Sequence, residues 1–249
     1  MKNLDTGLLS HEQARHYRRL GYYRLDEVYD GDDVAEMRSF VQTEVKGESF
    51  ARADRLGAKV KKMYGLYDRD PELMHRVLTN PTLSGTLVSL LGPNVVFLKN
   101  RHNHATVNDV QGAAAEGLHR DILQPTRGIL TASIYLDDAT HRNGATRILP
   151  GSDELPFVGV PEENGGGVWM ADHSEYDGLE EQALQVPVSA GGVLLFNSLN
   201  FHGVGANPSG DPRISMTLAF RAADELDRCP DSETQLVVAG EHFYIGNDR

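Results

Sequence analysis

The hydrophobic pattern of this chain changes period once, at Asn94, and that change limits the folds open to it. Before Asn94, apolar residues recur at helical spacing. Leu83, Leu87, Leu90 and Leu91 fall at i, i+4, i+7 and i+8, one face of a helix. Pro81 opens that helix and Gly92-Pro93 closes it. Val34, Met37, Val41 and Val45 form a similar stripe behind Asp32 and Asp33, whose charges suit a helix N-terminus. Ser10, with Glu12 and Gln13 after it, and Gly21 bracket a first helix carrying Ala14, Tyr17 and Leu20. Tyr22–Leu25 then reads as a short strand, and Pro71 with Leu73, Val77 and Leu78 as a further helix. After Asn94, β-branched runs alternate with Gly, Asn, Asp and Pro. Strands are predicted over 95–99, 128–136, 145–149, 184–188, 193–196 and 213–220.

Short strands at turn-bounded spacing predict a sandwich or barrel. The expected architecture is one domain over 1–249, mainly β with N-terminal helices. Residues 1–93 are a largely helical support, 94–223 the β-core and 224–249 a C-terminal tail. Segment 152–182, with Gly165-Gly166-Gly167, exceeds ordinary connector length and is expected to be a functional loop or lid.

Composition removes several function classes. A hydrophobic fraction of 40% and a charged fraction of 24% describe an ordinary globular chain. A net charge of −12 argues against a nucleic-acid footprint and against an anchor on anionic membrane. The single cysteine, Cys229, excludes an internal disulfide framework and multi-cysteine metal sites, and has no assigned role. There is no signal-peptide core at the start and no apolar run of the roughly 20 residues that span a membrane. A cytoplasmic protein with a small-molecule partner is expected; oligomeric state is unreadable.

His119-Arg120-Asp121 precedes a strand-rich stretch. In extended backbone His119 and Asp121 share a face, so both can meet one metal while Arg120 points away. His202, after the strand over 193–196, supplies a third ligand. Two histidines and a carboxylate on one face of an octahedron form the facial triad of non-haem Fe(II) oxygenases. Its open positions admit a bidentate co-substrate and dioxygen, with zinc as the competing metal. Arg213 heads a strand, and its planar guanidinium suits a carboxylate. Ser215 lies on the same face. The pair suits the distal carboxylate of 2-oxoglutarate.

Other residues have two readings each. Asn100 or His102 contacts 2-oxoglutarate from a neighbouring strand, or His102 and His104 are structural. Thr131 and Ser133 are pocket hydroxyls or core strand residues. Gln124 and Arg127 contact substrate or sit on a solvated loop. Trp169 caps the substrate or anchors the long loop. Arg55, Lys59, Lys61 and Lys62 form a solvated face or meet a substrate anion.

A set of ordered motifs extends over most of the chain. They are Leu9-Ser10, Gly21-Tyr22-Tyr23, His119 to Gln124, Tyr135-Leu136-Asp137-Asp138, Asn143-Gly144-Ala145, Leu149-Pro150-Gly151-Ser152, and His202 with Arg213. In these the sequence resembles the phytanoyl-CoA dioxygenase family of Fe(II)/2-oxoglutarate-dependent oxygenases. The resemblance implies a double-stranded β-helix (a jelly-roll or cupin-like core), iron held by His119, Asp121 and His202, and 2-oxoglutarate held by Arg213. Family members act on lipids, amino acids and natural products, and some halogenate, epimerise or close rings. Asp153 departs from the family's usual histidine after Pro-Gly-Ser. Family halogenases lack the metal carboxylate, so Asp121 argues against halogenation.

The expected function is therefore oxidation of a C–H bond in a polar small molecule, with hydroxylation in natural-product tailoring placed first. Epimerisation, cyclisation and desaturation use the same oxidative chemistry. The alternatives from other classes are a metal- or 2-oxoglutarate-binding sensor without turnover, and a metal-dependent hydrolase or isomerase that needs no dioxygen.

Overall fold

The structure, a computed structural model, describes residues 7–45, 52–53, 59–108, 114–121, 128–156, 168–223 and 233–241. Helix α1 (His11–Leu20) opens on a reciprocal cap. Gln13 N–H donates to Ser10 Oγ at 3.2 Å, and Ser10 N–H donates to Gln13 Oε1 at 2.7 Å. It ends at Gly21, whose φ of 71° lies in the left-handed region and where a Cβ would strike the Asn200 side chain. Strand β1 (Tyr22–Leu25) and helix α2 (Gly31–Val45) follow, then β2 (Arg52–Ala53) and β3 (Lys59–Tyr64). Helices α3 (Leu66–Arg69), α4 (Pro71–Leu78) and α5 (Pro81–Leu91) complete this region. Asp70 and Asn80 cap α4 and α5, each with proline in the first turn, where its missing N–H leaves no bond unmade.

The chain then becomes mostly β. The strands are β4 (Val95–Leu98), β5 (His104–Asn108), β6 (His119–Arg120), β7 (Leu130–Tyr135), β8 (Arg147–Ile148) and β9 (Val168–Trp169). After them come β10 (Leu184–Gln185), β11 (Val193–Asn197), β12 (His202–Gly203), β13 (Arg213–Ala222) and β14 (Gln235–Ala239). Two antiparallel sheets result among the described residues. The larger runs β1-β11-β7-β13-β5-β3-β2, with β4 on the far half of β13 and β14 on β4. The smaller runs β10-β8-β12-β6-β9. This is the expected jelly-roll core.

Strand β13 organises the large sheet by pairing with β5, β7 and β4. Its alternate residues Ile214, Met216, Leu218 and Phe220 join Ala105, Val107, Ala132 and Ile134 on one face. Helices α2, α4 and α5 cover that face with Val34, Met37, Val41, Leu73, Met74, Val77, Leu83 and Leu87. Burial of this apolar layer is the main favourable term of the fold. The Arg38–Asp137 ion pair, at 2.8 Å, ties α2 to the chain just after β7.

Several boundaries differ from expectation. The support region contributes β1 and β3 to the large sheet, and the region expected as a tail returns as β14. The described parts of 152–182 fold into β9 and short 3-10 turns, including Ser152–Glu154, Met170–Asp172, Ser174–Tyr176 and Leu179–Gln182. Met170 and Tyr176 pack with Leu118, Leu149 and Phe201, so these parts are fastened to the small sheet. Gln124, Arg127, Arg55 and Cys229 lie outside the described residues. Among the described residues no helix is long and apolar enough to cross a membrane.

Met37, 1% exposed, belongs to the core cluster that joins α2 to the sheet. Met37→Ala should lower unfolding free energy by about 2–5 kcal/mol in chemical denaturation. A loss below about 1 kcal/mol would contradict this packing.

Candidate metal centre

The two short strands β6 and β12 carry the histidines, and their register sets His202 directly opposite His119. The strands approach closely because Gly203 has no side chain. A Cβ there would lie 2.8 Å from the Gly117 carbonyl oxygen and 3.0 Å from that of Glu116. The ring centroids of His119 and His202 are 4.7 Å apart. Asp121, at the end of β6, completes the group: Oδ1 lies 3.5 Å from His119 Nε2, and Oδ2 lies 3.2 Å from His202 Nε2. One ligand atom from each residue falls within 4.8 Å of the others.

The second layer orients the imidazoles. His119 Nδ1 faces the Gly117 carbonyl at 3.3 Å and His202 Nδ1 faces that of Asn200 at 2.9 Å. Donation from Nδ1–H to these carbonyls leaves both Nε2 lone pairs for a metal. Asp121 Oδ2 is buried with no aligned hydrogen bond among the described residues. Burial would raise Asp121, but the charges of His102 and His202 hold it well below the usual carboxylate range. Burial also disfavours charged His119. The bond to Asp121 and the charge of Glu116 outweigh this and lift His119 to about 9. Aromatic rings screen the pair: Phe196 is 4.4 Å from His202 and Trp169 is 4.7 Å from His119, centroid to centroid.

Arg120, between His119 and Asp121, points to the opposite layer as expected. It is 1% exposed and donates to the Ser152 and Leu155 carbonyls and, at 3.4 Å, to Tyr176 Oη. Its guanidinium lies 4.4 Å from the Phe201 ring centroid. The alternation that turns His119 and Asp121 to the cavity thus binds the described parts of 152–182 from behind.

The polar face of the large sheet lines the same cavity. Arg213, Ser215 and Thr217 on β13 stand beside Thr106 and His104 on β5 and Ser133 on β7, as the registers Ser215↔Thr106, Thr217↔His104 and Thr217↔Ser133 require. Arg213 is 1% exposed, with its guanidinium 5.7 Å from the Tyr135 ring centroid. Burial pulls its pKa down. The space among these residues, open solvent at its mouth included, amounts to about 540 Å³.

His119, Asp121, His202, Arg213 and Ser215 are therefore brought together. The other expectations divide. Ser133 lines the cavity, but Thr131, one pleat further on, is buried with its hydroxyl 2.7 Å from Ser198 Oγ and does not reach it. Asn100 is exposed in the turn after β4, which carries it away from the cavity. His102 lies in the site, with Nε2 3.3 Å from Asp121 Oδ2. Trp169 packs on a ligand histidine from the long segment. Asp153, the departure after Pro-Gly-Ser, accepts from Asn197 Nδ2 at 3.1 Å and does not line the cavity.

Several lining residues escape the sequence reading. Glu116 is buried, its Oε2 accepting from Val204 N–H at 3.1 Å. Burial would raise its pKa, but the His119 and Lys62 charges keep it lowered. Lys62 separates from the expected basic patch because strand alternation turns it into the cavity opposite Thr106. The His-x-Thr alternation at 104 and 106 is the signal that would have found β5. Nothing near Glu116 marks it.

Comparison with known proteins bears on the fold and the family. The ectoine dioxygenase of Halomonas elongata is 23% identical over 244 residues, covering 90% of this chain and 72% of that protein. Among solved structures, the epimerase SnoN, determined with Fe3+, alpha ketoglutarate and nogalamycin RO, superposes with a TM-score of 0.71 at 20% identity, covering 94% of this chain and 96% of that one. The alpha ketoglutarate-dependent carbocyclase SnoK gives 0.66 at 21% identity, covering 87% and 85%. These likenesses share the jelly-roll fold. Residues 17–215 match the phytanoyl-CoA dioxygenase (PhyH) family, a span that includes all three histidine and aspartate ligands as well as Arg213, and the chain belongs to that family.

Proposed function

We propose that this dioxygenase oxidises a C–H bond of a polar small molecule with Fe(II), 2-oxoglutarate and O2, and that hydroxylation is its ordinary outcome. The observation that carries this reading is the joint lining of one cavity by the three-ligand group and a buried arginine. His119, Asp121 and His202 would hold the iron; their donor set, two imidazoles and one carboxylate, is that of non-haem Fe(II) oxygenases. Bound iron would couple oxidative decarboxylation of 2-oxoglutarate by dioxygen to removal of hydrogen from substrate.

Charge balance supports a dianionic co-substrate. Arg213 and Lys62 are offset by Asp121 and Glu116, burial favours neutral His102 and His104, and His119 would be neutral once a metal displaces its proton. A dication added to such an enclosed, nearly neutral site calls for a dianion, because isolated buried charge is costly. Arg213 would take the distal carboxylate through two parallel N–H bonds, with the Ser215 hydroxyl beside it. Phe196 and Trp169 would exclude water from the ligand pair. The remaining wall, with Lys62, His104 and Glu116, is polar and suits a hydrogen-bonding substrate better than a long alkyl chain. SnoN and SnoK are an epimerase and a carbocyclase on this fold, so epimerisation and ring closure form the second reading.

Arg213→Ala should raise the 2-oxoglutarate KM at least about tenfold while iron affinity stays within about twofold. An unchanged KM would remove Arg213 from co-substrate binding. Polar candidate substrates are screened by succinate release and product mass. A gain of one oxygen reports hydroxylation, no mass change reports epimerisation, and loss of two hydrogens reports ring closure or desaturation.

Trp169, the single tryptophan, lies against a ligand ring and reports metal binding by fluorescence. His119, lifted to about 9, carries a proton at neutral pH that a metal must displace. Affinity should therefore rise as pH rises, by about tenfold per unit, and level off above the His119 pKa. A pH-independent quenching curve across the neutral range would contradict this assignment.

A further inference from the structure

The turn between β4 and β5 holds two residues that close on Asp121. Arg101 Nη2 donates to the Asp121 backbone carbonyl. His102, next in sequence, sets Nε2 3.3 Å from Asp121 Oδ2. His102 has φ 46°, a left-handed conformation that non-glycine residues rarely adopt and that surrounding structure must enforce. Asn103 supplies that enforcement: its side chain donates to the Lys99 carbonyl at 2.9 Å and accepts from Tyr67 N–H at 3.2 Å, while its own carbonyl accepts from Gly65 N–H at 2.8 Å. The His102 side chain is 16% exposed, and its buried Nδ1 has no hydrogen-bond partner among the described residues. A half-buried imidazole on a left-handed backbone, set 3.3 Å from one carboxylate oxygen, is poorly explained by packing alone.

We propose that Arg101 and His102 form a clamp that positions the metal-binding carboxylate, a role that rests on the iron site proposed above. Arg101 fixes the backbone of Asp121 just beyond the end of β6, where no further sheet partner is described. His102 engages Oδ2, leaving Oδ1, on the His119 side, to face the metal. The carboxylate would then present one oxygen to a bound metal. His102 is thus a positioning residue for Asp121 rather than a contact for 2-oxoglutarate. Hydrogen-bonded partners of metal ligands typically contribute 10–100-fold to metal affinity.

The test is anaerobic Fe(II) titration of metal-free wild type, His102→Asn, His102→Gln and Arg101→Ala, read by Trp169 fluorescence, with thermal melting of each metal-free protein alongside. Asparagine accepts left-handed backbone but is too short to bring a donor to Oδ2; glutamine can place its amide near the Nε2 position. His102→Asn should weaken Fe(II) binding about 10–100-fold with its metal-free melting temperature unchanged or raised, and His102→Gln should recover most of the loss. Arg101→Ala should weaken binding in the same direction. Equal affinity in wild type and His102→Asn, or a loss that tracks the melting temperature and is not rescued by glutamine, overturns the clamp. If wild type itself takes up no Fe(II), the iron reading fails first, and the two failures are thereby told apart.

Discussion

Strand β13 is buried on both faces, yet only one of its faces is apolar, and the rest of the molecule answers to that constraint. The apolar face, from Ile214 to Phe220, is satisfied by helices α2, α4 and α5. The other face places Arg213 and Ser215 where water is largely excluded, with half-buried Thr217 beside them. Buried polar groups need partners, and a buried guanidinium needs a negative one. The second sheet closes over this face and brings His119, Asp121, His202 and Glu116 with it. In this account the arrangement remains incomplete without a cation for the triad and an anion for the arginine.

The small sheet is built from short strands, which alone would be a weak scaffold. Its ligands are held by other means. Gly203 allows the close approach of β12 to the backbone around Glu116 and Gly117. Arg120 fastens β6 to the Ser152 and Leu155 carbonyls on the side away from the cavity. Ser198 accepts from Asp121 N–H at 3.0 Å while its hydroxyl meets Thr131 on β7. Thr131, read from the sequence as a pocket hydroxyl or a core strand residue, thus stands one step behind Asp121. Residues from both sheets hold the centre, so changes in either are transmitted to the same few atoms.

What was readable in the sequence follows from the range of the forces involved. Local signals were clear: the Ser10 cap, the prolines at 71 and 81, and the period change at Asn94 each act within a few residues. The His-x-Asp spacing, a distant histidine and Arg213 were readable because strand alternation is local too. Strands β3 and β14 were missed because their stability comes from partners far along the chain, β5 and β4. Asn100 and Thr131 kept two readings for the same reason: a turn, and how far along the strand a residue sits, decide whether it reaches the cavity. Glu116 was invisible because its value lies in its neighbours Val204, His119 and Lys62, none of them adjacent in sequence. His102 was noticed as a polar residue near the site, but its strained backbone, which gives it a different partner, has no sequence signature.

The central claim is that one enclosed site takes a metal at the triad and a carboxylate at Arg213 together. The most direct measurement is the visible absorption of the metal-free protein under anaerobic conditions as Fe(II) and then 2-oxoglutarate are added. The account predicts a weak metal-to-ligand charge-transfer band that appears only when both are present, since the co-substrate must chelate the iron at open positions of the facial triad. A folded protein that takes up iron but develops no band on saturation with 2-oxoglutarate would contradict it.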